Sequence, residues 1–282
     1  MNGDTDSRLP WPLAYTVSSD DCRTPVPLGF DAPLSEAARE LAAIGYDSVE
    51  VQVRDVTAAN VERLTSALAP FGLRVAALGT GPIAAQDGLS LTDPAPDVRR
   101  LAYDRLLGAA RLAAALEVPV TLGQTRGTYL PGTADLQRGW AEQAVRQLVA
   151  EADGLGTRLL IEPQKRANTS LWNTPAQTLK FTDGLGGPTG LVLDTHHLEE
   201  EGIDPLAVVA EHARASGCLQ LASVAGRGPL ESGDPRLPTL FRALREGGFA
   251  GWLSMEHTQD GDSAHAAARS WVAVHDAARP TS

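Results

Sequence analysis

Eight short apolar runs, separated by stretches with helical periodicity, constrain the fold of this chain more than any other feature. The runs begin near Leu13 (LAYTVS), Ser48 (SVEVQV), Leu73 (LRVAAL), Val118 (VPVTLG), Arg158 (RLLIEP), Gly190 (GLVLD), Cys218 (CLQLAS) and Gly251 (GWLSMEH). They are too short for stable helices, and they are continuous instead of alternating. A run that is apolar on both sides belongs in a parallel sheet covered on both faces.

Between the runs lie helical patterns. In LSEAARELAAIG, Leu34, Ala38, Leu41 and Ile44 recur at intervals of three and four. Ser35 is placed to cap the start of this helix, and Gly45 to end it in the left-handed conformation. Val61, Leu64 and Leu68 stripe the next helix before Gly72; Leu237, Leu240, Phe241 and Leu244 stripe a later one that Gly247–Gly248 stops. Asp97–Leu116 and Ala134–Gly154 read as long Ala/Leu-rich helices, and Ser263–Ala278 as a last amphipathic one. Eight strand–helix units predict an α/β fold of the (β/α)8 TIM barrel type, with eight parallel strands inside and helices outside. A doubly wound open sheet is the alternative. Its glycine-rich phosphate turn would follow the first strand, where this chain has SSDDCRTPVPLG.

The 282 residues suit one such barrel, and no linker divides them; residues 1–12 read as an N-terminal extension. The longest non-periodic stretch, Gly79–Pro96, lies between the third strand and its helix and is a candidate lid. The formal net charge of -11, with no basic run longer than Arg99–Arg100, argues against nucleic acid as a partner. Two cysteines, Cys22 and Cys218, fit a reducing compartment and no disulfide scaffold. There is no basic start followed by an apolar run, and no apolar stretch near the ~20 residues that span a bilayer. A cytoplasmic protein without membrane contact is the expectation.

Chemistry is expected at the carboxyl ends of the strands. Glu162, Asp194, Gln220 and Glu256 close, or nearly close, the fifth to eighth runs. Those strands are neighbours around a barrel, so the four side chains can converge. Carboxylate and amide oxygens are hard ligands that suit one divalent cation, Mn²⁺ or Mg²⁺ first, with Co²⁺ or Zn²⁺ as alternatives. The competing reading is that each acid pairs with an arginine or caps a helix. Glu50, inside the second run, either lines the barrel interior and reaches a substrate or pairs with an arginine. Gln124 and Arg126 end the fourth run as pocket candidates. Trp172 either stacks on a sugar ring or packs. Of the adjacent His196 and His197, only one enters the mouth unless the strand has already ended. His257 is a candidate to orient Glu256 or to contact a helix start.

The same residues carry a resemblance. Ile161-Glu162-Pro163, Asn173-Thr174-Pro175-Ala176-Gln177, Leu193-Asp194-Thr195-His196-His197, Leu219-Gln220-Leu221-Ala222-Ser223-Val224-Ala225-Gly226-Arg227 and Gly251-Trp252 through Glu256 follow one another in order. The chain resembles the xylose isomerase-like sugar isomerase/epimerase superfamily, and within it the branch containing hydroxypyruvate isomerase and the ketose 3-epimerases. The resemblance implies that Glu162, Asp194, Gln220 and Glu256 hold the metal. It implies that His197 contacts the substrate oxygen nearest the metal, and that Arg227 binds a substrate hydroxyl or carboxylate. It further implies a small sugar or keto-acid substrate and a homo-oligomer. Three positions depart from the pattern: Gln220 stands for a histidine, and Ser223 and Asn168 stand for acids.

A divalent ion that chelates a carbonyl and its neighbouring hydroxyl acidifies the intervening C–H and stabilises the enediolate. One carboxylate then takes the proton and another returns it, roles that Glu162 and Glu256 can fill from separate strands. The expected activity is that of a sugar isomerase or epimerase. Two alternatives are a metal-dependent lyase or dehydratase on a keto-cyclitol or keto-glycoside, and a barrel that binds a metabolite without turnover. A three-zinc DNA-repair endonuclease, also known in the superfamily, needs many histidine ligands and a basic groove, whereas three of the six histidines here are expected at the mouth and the net charge is -11.

Overall fold

The computed structural model describes residues 9–23, 28–56, 60–259 and 261–279. Residues 1–8 of the expected extension, and residues 24–27 of the turn after the first strand, lie outside the described residues. Each apolar run forms a strand: β1 (Leu13–Ser18), β2 (Ser48–Gln52), β3 (Arg74–Gly79), β4 (Val120–Leu122), β5 (Leu159–Ile161), β6 (Thr189–Asp194), β7 (Ser216–Leu221) and β8 (Trp252–Met255). All neighbours pair in parallel, and β1 pairs with both β2 and β8, closing the barrel. The fold is the expected (β/α)8 barrel.

Among the described residues ten α-helices surround it. They are α1 (Leu34–Ile44), α2 (Asn60–Leu68), α3 (Gly81–Asp87), α4 (Pro96–Ala115), α5 (Ala134–Leu155), α6 (Pro175–Thr182), α7 (Thr195–Glu200), α8 (Pro205–His212), α9 (Arg236–Glu246) and α10 (Ser263–Ala278). Gly45 ends α1 at φ 115, as expected, but Ser35 does not cap it. The helix begins one residue earlier, with Pro33 as N-cap, so Ser35 falls within the first turn. None of the helices is long and apolar enough to cross a membrane.

Two layers of apolar packing follow from the strand pleat. Outward-facing strand residues such as Leu13, Tyr15, Val49 and Leu219 join the helices in the main core. Inward-facing Ala14, Ala77, Leu160, Val192, Cys218 and Trp252 form a second, smaller core that plugs the barrel interior. Bulk is distributed unevenly here because space is short. A Cβ on Gly217 would meet Leu160 at 2.7 Å, so one large side chain fills what two strands leave open.

The stretch read as a lid is a wall. Its first half is α3, and its second half buries Leu89, Leu91 and Thr92. Gln137 on α5 donates to the Thr92 carbonyl at 2.7 Å, and the Leu91 amide donates to the Thr125 carbonyl at 2.9 Å. Two buried leucines and these long-range bonds anchor it.

Candidate active site

The plug sets the floor of a polar site. Side chains two apart on a strand share a face. Two residues above Leu160, Val192 and Cys218 stand Glu162, Asp194 and Gln220, and four above Trp252 stands Glu256. Asp194 and Gln220 are direct partners in the β6–β7 register. All four are buried, from 1% to 9% exposed, so each needs a partner to offset its desolvation.

The partners are specific. Arg227 Nη2 donates to Asp194 Oδ2 at 2.6 Å and to Glu256 Oε2 at 2.5 Å. Arg227 sits at φ 57 after Gly226 at φ 69, a left-handed pair that aims the arginine back over the strand ends. Thr258 locks the turn by donating its N–H and hydroxyl to the Arg227 carbonyl, at 2.8 and 3.1 Å. Asp194 also caps α7, its Oδ1 accepting the His196 N–H at 2.8 Å. The strand has therefore ended at Asp194, and the first turn of α7 swings His197 inward. Its Nε2 lies 3.3 Å from Glu162 Oε1 and 3.7 Å from Asp194 Oδ2.

Burial and charge tune these groups in different directions. Burial, aided by Asp194, pushes Glu162 up to about 8 against the pull of Arg227, Arg126 and Gln164. Burial also drives Glu256 well above the usual carboxylate range, with Arg227 opposing and the other acids adding. For Asp194, burial is outweighed by Arg227, His197 and the His196 N–H, which hold it low. His197 is lowered to about 4 by burial against the field of Asp194, so its imidazole is neutral at pH 7.

The donor set fits a divalent cation. Among the described residues, Glu162, Asp194 and His197 form a compact group whose ligand atoms lie within 4.8 Å of one another. Glu162 Oε1 and Gln220 Oε1 are buried oxygens without a hydrogen-bond partner, and so is His197 Nδ1 among nitrogens. Two orphaned hard oxygens beside a low-pKa carboxylate are what an ion would satisfy. His197 thus joins the acids as a potential ligand, and Glu256 is tied to the same group through the arginine it shares with Asp194.

A cavity of about 560 Å³ opens above this cluster, lined by Glu162, His197, Gln220, Arg227 and Glu256. Six carboxamides line it: Gln52, Gln86, Gln124, Gln164, Asn168 and Gln220. Gln124 and Asn168 are therefore where a substrate would meet them, while Ser223 is not on the lining. Glu50 is completely buried and lies beneath Gln220, off the cavity lining and with no arginine paired to it among the described residues. Burial pushes Glu50 up to about 7, opposed by contacts from Ser254, Gln220 and Trp252.

Trp172 faces away from the cavity. Its ring stacks on Phe181 at 4.1 Å, on the far side of the β5–α6 segment. Trp172→Ala is expected to cost about 3–5 kcal/mol of stability, in the range for large-to-small core changes, while leaving KM unchanged. A rise in KM without loss of stability would place the ring against substrate after all. His257 bridges outward, with Nε2 3.0 Å from Ser270 Oγ in the middle of α10, which is neither a helix-start contact nor an orienting bond to Glu256. Burial pushes the Cys22 thiol up to about 12, far from a nucleophile at neutral pH. Arg126 is entirely buried and donates to the carbonyls of Gly123, Trp172 and Glu162, so it ties the ends of β4 and β5 together instead of entering the pocket.

Gln164 went unnoticed in the sequence. Its Nε2 donates to Glu162 Oε2 at 2.7 Å, and its own Oε1 is buried without a partner. Continuing the two-residue alternation past Glu162 would have found it. The N-T-P-x-Q motif explains how it is held: Thr174 and Gln177 form a reciprocal capping box on α6, and Asn173 Nδ2 donates to the Gln164 carbonyl at 2.8 Å. Gly123 completes the fit. A Cβ there would lie 2.6 Å from Gln164 Nε2 and 2.7 Å from Glu162 Oε2. Gly123→Ala is expected to displace the Glu162 carboxylate and lower kcat on the order of 10²-fold with little change in melting temperature. Wild-type kcat in this variant would show that Glu162 has room to spare.

A closed parallel barrel with its acids, histidine and amides gathered at the carboxyl ends of the strands is the architecture in which (β/α)8 proteins place their chemistry. The chain belongs to the xylose isomerase-like TIM barrel family, whose model matches residues 38–274. It is 27% identical over 263 residues to a Streptomyces coelicolor protein provisionally named a hydroxypyruvate isomerase, covering 86% of this chain and 91% of that one. It is 27% identical over 236 residues to the L-ribulose 3-epimerase of Mesorhizobium japonicum, covering 79% of this chain and 75% of that one. Among solved structures, 3-keto-D-glucoside 4-epimerase from E. coli superimposes with a TM-score of 0.75 at 18% identity, covering 94% of this chain and 98% of that one, a likeness of fold.

Proposed function

We propose that this chain is a divalent-metal-dependent sugar isomerase or epimerase that moves a proton next to a carbonyl. The observation that carries the proposal is the pair of buried, partnerless oxygens, Glu162 Oε1 and Gln220 Oε1, on a cavity that also holds His197 and Glu256. Glu162, Asp194, Gln220 and Glu256 would hold the ion, with His197 within reach. When bound, the ion supplies Lewis acidity to the carbonyl and its neighbouring hydroxyl, and so stabilises an enediolate.

The chain's own residues do the rest. Glu162 and Glu256 come from strands on either side of β6 and β7, so they flank whatever occupies the cavity. Burial raises the pKa of both, which makes each a stronger base when ionised and a competent acid when protonated. Gln164 fixes the outer oxygen of Glu162 and leaves the inner one free. Arg227 holds Asp194 and Glu256 in place and offsets their charge. The carboxamides bring polar groups to the cavity and add no charge, which suits a polyhydroxylated substrate. The relatives' names, a hydroxypyruvate isomerase and an L-ribulose 3-epimerase, point the same way.

Incubation with Mn²⁺ in D₂O, over a panel of ketoses, hydroxypyruvate, inososes and 3-keto-glycosides, tests the reading. A true substrate exchanges the hydrogen next to its carbonyl for deuterium. Elimination products in place of exchange would move the chain to the lyase class. A stoichiometric Mn²⁺ site with no exchange on any member would make it a binding barrel.

A further inference from the structure

The amide of Gln220 presents a problem that its neighbours do not solve. A carboxamide offers an oxygen on one arm and an NH₂ on the other, and only the oxygen can serve a cation. Glu162, Asp194 and Glu256 crowd the site with acceptors. Left to them, the amide would turn its NH₂ toward the acids. The structure shows the opposite arrangement. Gln220 Nε2 donates across the barrel interior to Glu50 Oε1 at 3.0 Å, and Gln220 Oε1 is the arm left without a partner.

Glu50 also faces Ser254 and Trp252, and Gln220 is the neighbour through which it reaches the acid cluster. Glu50 lies in the middle of β2, is completely buried, and takes part in no ion pair with Lys or Arg among the described residues. The Cys218 thiol, two residues below Gln220 on the same face of β7, lies 3.9 Å from Glu50 Oε2. A buried acid without a cation is costly to keep beside a plug of Ala14, Ala77, Leu160, Val192, Cys218 and Trp252.

We propose that Glu50 is a positioning residue: by accepting the NH₂ of Gln220 from beneath, it turns the amide oxygen up toward the acid cluster as a cation ligand. The same bond polarises the amide, since a donor N–H engaged by a carboxyl group shifts electron density onto the carbonyl oxygen. A neutral amide is the weakest donor in the set, and the acid beneath it strengthens that donor where a related barrel would carry a histidine. The inference rests on the reading of this cluster as a divalent-cation site.

Titration of the metal-free protein with Mn²⁺, following the electron paramagnetic resonance of the free ion, tests it. Glu50→Leu removes the acceptor and fills its space. The Mn²⁺ dissociation constant is expected to rise about 10- to 100-fold, the usual effect of losing a partner that orients a ligand. The metal-free melting temperature should change little, because relief of the buried acid offsets the loss of its bond to the Gln220 NH₂. The exchanged pair Glu50→Gln/Gln220→Glu rebuilds the bond with donor and acceptor reversed and still presents an oxygen. It should bind Mn²⁺ at least as tightly as the wild type. Unchanged affinity in Glu50→Leu would overturn the inference, and so would an exchanged pair as weak as Glu50→Leu. A lower melting temperature with wild-type affinity would reduce Glu50 to a packing role. Absence of Mn²⁺ binding by the wild type would overturn the cation site itself, and this inference with it.

Discussion

Glu162→Gln and Glu256→Gln are each expected to lower kcat by roughly 10²- to 10⁴-fold, the range for removing a positioned general acid or base. Glutamine keeps the size and one oxygen donor, so the change removes proton transfer with little disturbance of packing. The two variants should differ in one respect. Glu162 lies 3.3 Å from His197 and takes a hydrogen bond from Gln164, whereas Glu256 is held by Arg227. A glutamine at 162 has one oxygen, and accepting from Gln164 turns its NH₂ toward the ion site, so its fold should melt as the wild type does while its Mn²⁺ affinity falls. A glutamine at 256 trades a charged contact with Arg227 for a neutral one. Deuterium exchange into substrate separates the roles, because the variant lacking the base loses exchange altogether. The variant lacking the acid still exchanges while failing to turn over. If either variant keeps full turnover, that glutamate is a ligand or a structural acid, and the two-carboxylate mechanism is wrong.

The barrel was legible in the sequence because its strands are buried on both faces. A continuous apolar run is the direct consequence of that burial, and all eight runs became strands. What escaped notice has physical causes too. The helix α7 is six residues long and starts at the residue after β6 ends, too short to show a period. The strand-end acids could be listed from the sequence, but not their partners. Arg227 reaches Asp194 and Glu256 only because Gly226 and Arg227 both take the left-handed conformation, which no propensity for arginine announces. Glu50 lines the barrel interior, as one reading of it had it, but stands beneath Gln220 and off the cavity lining. The bond it makes to Gln220 joins residues 170 apart across the barrel, a contact that no local pattern encodes. Trp172 had a legible alternative in packing, and its ring stacked on Phe181 follows that alternative.

Arg227→Met carries the second large expected effect, and it falls on the metal-free protein. Arg227 is the cation that touches both Asp194 and Glu256, and the arginine side chain is only 12% exposed. Methionine covers the same apolar surface without charge, leaving Asp194, Glu162 and Glu256 buried together. Removing one partner of a buried pair costs about 3–5 kcal/mol, because the remaining charge stays desolvated. Denaturant midpoints in chelator should fall accordingly, and saturating Mn²⁺ should restore most of the loss, since a divalent ion supplies the missing charge to the same oxygens. The pH dependence has a fixed sign. The lowered pKa of Asp194 means that its contribution is present above about 4 and is lost as pH falls through the folded value. Glu162, raised to about 8, runs the other way: its protonated form suits the fold, and stability declines as pH rises from about 4.5 toward 8. Arg227 supplies much of the Asp194 contribution and lessens the Glu162 penalty, so the deficit of the variant should be widest near pH 8 and narrow toward pH 4. A variant as stable as the wild type in chelator at pH 8 would mean that the three acids are not charged together, and that the site does not store the negative potential that a divalent ion would be drawn to.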